Sequence, residues 1–243
     1  LKKRIRTDLV GSDYIFAFAS HHANDFAELT GRSVSYVHTP IPTGLGYSCS
    51  PTINWEGKEP SKIFEVLHIG HLSGTATLSG LLSLVGYCDK FNCDEELQIN
   101  ISVVGGRIEK LPIEVRRVLD RSCHISFYGE TNDPMAWFDQ ADVLLVPIDV
   151  PLGIRVRILA AMSLGCAVIA HKANSLGIPE LSDGLNCHLY SSSEELVSLF
   201  RSLAANPSNL MRIRVGGHAL YKSLFNPVSF ASELEALGCT LND

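Results

Sequence analysis

The chain has 243 residues, 46% of them hydrophobic and 19% charged, with a formal net charge of -6. A chain of this length buries one sizeable core, or one full domain plus part of another. The acidic balance excludes general affinity for nucleic acid or for an anionic membrane, both of which need clustered positive charge, and no apolar run approaches the roughly 20 residues that span a bilayer.

Taken in chain order, the first feature is a short basic cluster, Lys2, Lys3, Arg4 and Arg6. It reads as a solvated helix end or a severed connection to another domain, with peripheral membrane contact as the weaker alternative. Residues 13 to 19 read as a buried strand, 20 to 30 as a helix and 33 to 37 as a second strand. Residues 38 to 61 carry Pro40, Pro42, Pro51 and Pro60 with Gly44, Gly46 and Gly57, a composition that breaks both helix and strand periodicity and reads as a linker. From residue 63 on, apolar stretches at 63–69, 98–104, 123–127, 142–147 and 166–170 alternate with candidate helices at 76–88, 108–120, 134–139 and 155–164. Near-continuous apolar strands separated by helices predict an α/β fold, a doubly wound parallel sheet of Rossmann-like type covered on both faces. A short strand at 188–190 and helices at 193–204, 207–223 and 227–237 complete the chain; Pro207 and Pro227 suit the first turns of the last two.

Seven cysteines, Cys49, Cys88, Cys93, Cys123, Cys166, Cys187 and Cys239, show no CxxC and no spacing that gathers zinc ligands. Their odd number, scattered placement and the lack of a signal peptide point to a reducing, cytoplasmic setting. The chain opens at Leu1, so a piece of a longer protein is expected. His21 and His22 stand at a helix start, but neighbours on a helix do not share a face, and no metal site is expected there. Gly-x-Ser-x-Gly elbows, Walker loops and GxGxxG fingerprints are lacking, and Asp139, Asp142 and Asp149 do not form a carboxylate pair.

The most informative stretch is Ala141-Asp-Val-Leu-Leu-Val-Pro147 followed by Leu152-Gly-Ile-Arg-Val-Arg157 and a short helix closed by Gly165. A loop after a parallel strand, opening a helix, offers free backbone N–H groups to an anion, and Arg155 and Arg157 beside it favour a diphosphate. Residues two apart on a helix diverge, so one of them is expected to face the ligand, and Arg155 is the nearer to the terminus.

Together with Val66-Leu-His-Ile-Gly-His71, Ile101-Ser-Val-Val-Gly-Gly-Arg107, Ile125-Ser-Phe-Tyr-Gly129, Ala161-Met-Ser-Leu-Gly165 and Gly177-Ile-Pro-Glu-Leu181, this stretch resembles the C-terminal, donor-binding half of the retaining glycosyltransferases of the GT-B fold, the family-four group. The resemblance covers residues 63 to about 235. It implies that residues 1–37 are the remnant of an N-terminal acceptor domain, 38–61 a linker and 62–243 a domain binding a nucleotide sugar. It further implies metal-independent sugar transfer with retention, no cofactor besides the nucleotide-sugar donor, and an acceptor, carbohydrate or lipid-linked, reached through the missing domain. Cell-surface polysaccharide synthesis is the implied setting.

The resemblance assigns site residues position by position. Gly70 and His71 stand where the family places a glycine and a phosphate-binding arginine; His71 is read either as a phosphate contact or as an ordinary loop histidine. The family's lysine corresponds to Ser79. Gly105 and Arg107 close the second strand, either approaching the ligand or forming a plain turn. Gly129 and Glu130 occupy the loop that cradles the base. Gly153, Arg155 and Arg157 match a Gly-x-Arg-x-Lys pattern facing the pyrophosphate. Glu180 either contacts ribose or supports its loop. Leu152 and Ala160 stand where the family has two glutamates eight apart, one beside the donor sugar and one on the ribose, so both acceptors are lost. Two functions follow: the donor portion of a transferase, inactive as an isolated chain, or a binding subunit that has abandoned the chemistry.

Overall fold

The computed structural model describes residues 9, 11–41, 63–72, 74–91, 97–106, 108–121 and 124–239. The basic cluster, Arg107, Cys123 and most of the expected linker lie outside them. The first unit is a strand β1 (Phe16–Ala17), a helix α1 (Ser20–Thr30) and a strand β2 (Ser35–Tyr36). The strands pair in parallel, Phe16 with Ser35 and Ala17 with Tyr36. Gly31 ends α1 at φ 69 with its N–H on the carbonyl of Ala27, the left-handed cap that glycine adopts without steric cost. The expected strand at 13–19 shrinks to two residues because β2 offers no longer partner.

The second unit contains β3 (Ile63–Ile69), α2 (Thr75–Phe91), β4 (Gln98–Val104), α3 (Ile113–Arg121), β5 (Ile125–Tyr128), α4 (Pro134–Gln140), β6 (Val143–Val146), α5 (Val156–Ser163), β7 (Ala167–His171), β8 (His188–Tyr190), α6 (Ser193–Ala205), α7 (Ser208–Leu224) and α8 (Pro227–Ala236). Six of the strands form one sheet in the order β5-β4-β3-β6-β7-β8, and every pairing is parallel. The doubly wound expectation holds. The helix read at 108–120 is divided, a 3-10 turn over Ile108–Lys110 preceding α3. Pro112 causes the break: it has no N–H to continue a helix, yet its carbonyl accepts from Arg116 and so starts the next one.

The sheet separates two apolar layers. Leu81 and Leu84 of α2, Leu119 of α3 and Phe200 of α6 pack on one face. Phe138 of α4, Ile158 and Met162 of α5 and Tyr221 of α7 pack on the other. All four residues of β6 are fully buried, each worth about 1.5–3 kcal/mol relative to exposure. This explains why the central strand reads as unbroken Val and Leu rather than as an alternation.

At the amino-terminal edge of β6, Arg214 of α7 donates to the backbone carbonyl of Asp142 at 2.9 Å and to its carboxylate at 3.2 Å. Asp142 also accepts the backbone N–H of Glu65 at 3.1 Å, which pins β6 to β3. The guanidinium is buried, so it needs that carboxylate as counter-charge. Asp142→Ala is expected to lower unfolding stability by about 3 kcal/mol, read from urea denaturation midpoints; a change below about 0.5 kcal/mol would show that the pair does not hold this edge.

The first unit is tied to the second. The Ser20 N–H donates to Gly177 O at 3.2 Å, a His21 ring nitrogen lies 2.9 Å from Leu176 O, and Tyr14 OH donates to Gly238 O at 3.1 Å. Phe18 and Phe230 meet at 6.3 Å between ring centres.

Candidate active-site crevice

In an open parallel sheet the crevice lies outside the carboxyl ends of the strands where the winding reverses, here between β3 and β6. Two glycines shape it. Gly105, at φ 154, sits so close to β3 that a Cβ there would lie 1.8 Å from the carbonyl oxygen of Gly70. Its N–H in turn meets Gly129 O at 3.2 Å. Gly70, at φ 150, is closely approached by a side chain: a Cβ on it would fall 2.4 Å from a guanidinium nitrogen of Arg157.

Arg157 is therefore the arginine that lies across the mouth of β3, with Nη2 donating to Thr77 Oγ1 on α2 at 3.2 Å. Arg155 instead turns back on its own loop and donates to Val150 O at 3.1 Å. This reverses the expectation that the arginine nearer the terminus faces the crevice. Arg155 is the N-cap of α5, with extended backbone at φ -102 and ψ 93, so helical periodicity does not set its direction; Arg157 lies within the helix and its guanidinium reaches Gly70 at the end of β3. Burial lowers the pKa of Arg155.

Beside Gly70 opens a cavity of about 430 Å³ lined by Gly70, His71, Gly105, Gly106, Glu130 and Thr131, among others. His71 is exposed at its edge. The carboxyl carbon of Glu130 approaches to 3.3 Å of the place a Gly106 Cβ would occupy. Gly129 is exposed at the end of β5. The crevice thus gathers Gly70, His71, Gly105, Glu130 and Arg157 from the ends of three strands and one helix.

Other expected positions fall apart from this group. Leu152 is 52% exposed, whereas Ala160 is fully buried in the apolar layer. Gly153, at φ 66, faces the first unit: His22 Cε1 lies 3.5 Å from its Cβ direction, and its carbonyl approaches so near Gly177 that a Cβ there would clash at 2.5 Å. Glu180 accepts from Tyr36 OH at 3.1 Å and lies 3.0 Å from His38 Nε2. The other side of that ring is 3.1 Å from Glu233, whose carboxylate also accepts the His38 N–H at 2.8 Å. Burial and Glu180 together raise the Tyr36 phenol well above its ordinary range. Asp149 accepts from Ser79 at 2.8 Å. Sequence reasoning missed His38, Tyr36 and Thr77, whose partners are distant in the chain.

It also missed His68, a polar residue within an apolar strand. His68 is fully buried with Nδ1 3.1 Å from Leu145 O. That contact to a carbonyl places the proton on Nδ1. Burial, then the nearby Arg157 charge, hold its pKa down to about 3. The folded value lies below the unfolded one, so the stability from a neutral His68 is fully present above about pH 6.5 and falls as the pH drops toward 3. Between pH 7 and pH 5 the chain is expected to lose about 2 kcal/mol through this group. A His68→Leu variant should show a correspondingly flatter stability profile in denaturation at both pH values, and parallel profiles would refute the assignment.

The chain belongs to the glycosyl transferases group 1 family, whose model matches residues 64–206. Among solved structures it is similar to Anabaena Alr3699/HepE in complex with UDP-glucose, at 18% identity and a TM-score of 0.74, over 98% of this chain and 68% of that one. A glycosyltransferase from Rickettsia africae matches at 13% identity and 0.75, covering 97% and 65%. Sucrose-phosphate synthase from Thermosynechococcus elongatus matches at 17% and 0.71, covering 98% and 60%. The chain spans about two thirds of the length of these structures. No curated protein matches it in sequence. The expected GT-B-type α/β fold agrees with these likenesses.

Proposed function

We propose that the chain is the donor-binding portion of a glycosyltransferase, taking a nucleotide sugar and passing its sugar, with retention, to a carbohydrate or lipid-linked acceptor in cell-surface polysaccharide synthesis. Under this reading residues 62–243 are the donor domain and 1–37 the last unit of an acceptor domain, joined through 38–61. The observation that carries it is the Arg157 guanidinium lying against Gly70 at the winding reversal, where a diphosphate meets both a cation and close backbone. That HepE was solved with UDP-glucose supports the same reading.

The residues contribute charge and position. As the bond from the sugar to the diphosphate breaks, negative charge grows on the leaving oxygen, and a guanidinium fixed by Thr77 stabilises it without reorganising. Gly70 and Gly105 let the strand ends and the Arg157 guanidinium close up on one another at the place proposed for the phosphates, and the cavity beside them takes the nucleoside. Transfer requires an acceptor held at the same point, so the isolated chain binds donor without turnover. A second reading, a binding subunit that has lost the chemistry, is favoured by the apolar Leu152 and buried Ala160.

Calorimetric titration with UDP, GDP and their sugars tests the proposal. Arg157→Ala is expected to weaken UDP binding about 10- to 100-fold, as for loss of charge-assisted hydrogen bonds. Arg155→Ala should weaken it by less than about threefold, since its guanidinium is committed to Val150. Absence of binding at millimolar nucleotide would favour the binding-subunit reading.

A further inference from the structure

We infer that Glu130 is the ribose-recognising residue of this chain, its carboxylate accepting the 2′- and 3′-hydroxyls of the donor nucleotide. The inference rests on the donor-binding reading above and deepens it. The two glutamate positions that would supply acceptors hold Leu152 and Ala160, and Ala160 is fully buried, so no ligand group reaches it. A ribose in this crevice needs another acceptor, because two hydroxyls removed from water without partners cost binding.

Glu130 is placed to supply it. It follows β5, yet its carboxyl group does not stay over β5: it reaches back toward Gly106, at the end of the neighbouring β4. Strands are spaced about 4.8 Å apart, so the carboxylate stands roughly one strand from Gly70 and Arg157, on the side where the cavity opens. A nucleoside diphosphate with its phosphates at Gly70 and its base directed into the cavity brings its ribose over β4 and its base over the end of β5. The anionic carboxylate is repelled by the diphosphate itself, so its partner in a nucleotide must be an O–H or N–H donor. Over β4 that donor is the ribose diol. Gly106 lets the carboxyl group come this close: a Cβ there would stand 3.3 Å from it.

The test compares UDP with 2′,3′-dideoxy-UDP by calorimetry, using this chain and its Glu130→Ala and Glu130→Gln variants. Glu130 is exposed, so both variants should keep the fold. For the unaltered chain, loss of the diol is expected to weaken binding at least about tenfold. In Glu130→Ala the two nucleotides should bind alike, with Glu130→Gln intermediate. If Glu130→Ala keeps the full penalty for the dideoxy nucleotide, the inference is overturned while donor binding stands; a changed preference between UDP and GDP with that penalty intact overturns it in favour of a base contact. An unaltered chain that binds neither nucleotide overturns the donor reading, and this inference with it.

Discussion

The crevice depends on the contact between two glycines on adjacent strands. Gly70 presents its carbonyl to the Cα of Gly105, and on its other side Gly70 receives the guanidinium of Arg157. Any side chain at either position would drive β4 from β3 or push the arginine out of the strand mouth. Because both are bare, the ends of β3, β4 and β5 draw together, and the hydrogen bond from Gly105 to the loop after β5 becomes available. The cavity beside them exists because this edge is drawn in while the neighbouring loop, with Glu130, stands over it.

The consequence for chemistry is a site rich in backbone and poor in side-chain acceptors. One cation is fixed at the strand mouth by Thr77, and the same charge, added to burial, keeps His68 neutral beneath it. The family's acidic pair is replaced by an exposed leucine and a buried alanine. Under the donor-binding reading, phosphate contact falls to Arg157, and acceptors for the sugar portions have to come from positions other than these two.

Much of the fold was legible in the residues. Valine-, leucine- and isoleucine-rich runs marked the central strands to within about two positions, because a strand covered on both faces is predominantly apolar. Proline marked the start of α8. Less legible were features set by backbone conformation at a boundary or by partners far along the chain. Arg155 and Arg157 look equivalent until the start of α5 is located, since one residue decides which of them lies on the helix. The engagement of Glu180 by Tyr36 and His38 joins positions more than 140 apart, and no local pattern encodes it. Gly70 and Glu130 were legible as loop residues, but their distances from Arg157 and Gly106 follow from strand order alone.

The junction between the units bears on how the chain assembles. His38 is gripped on one side by Glu180 and on the other by Glu233, and Tyr14 closes onto Gly238 across 224 residues of sequence. These anchors belong to the loop after β7 and to the end of α8, so the partners that β1, α1 and β2 meet here lie far along the chain from them. Docking of the two units is therefore a late, non-local step of folding, paid for in loop-closure entropy before its contacts form, and α8 acts as the clasp that completes it.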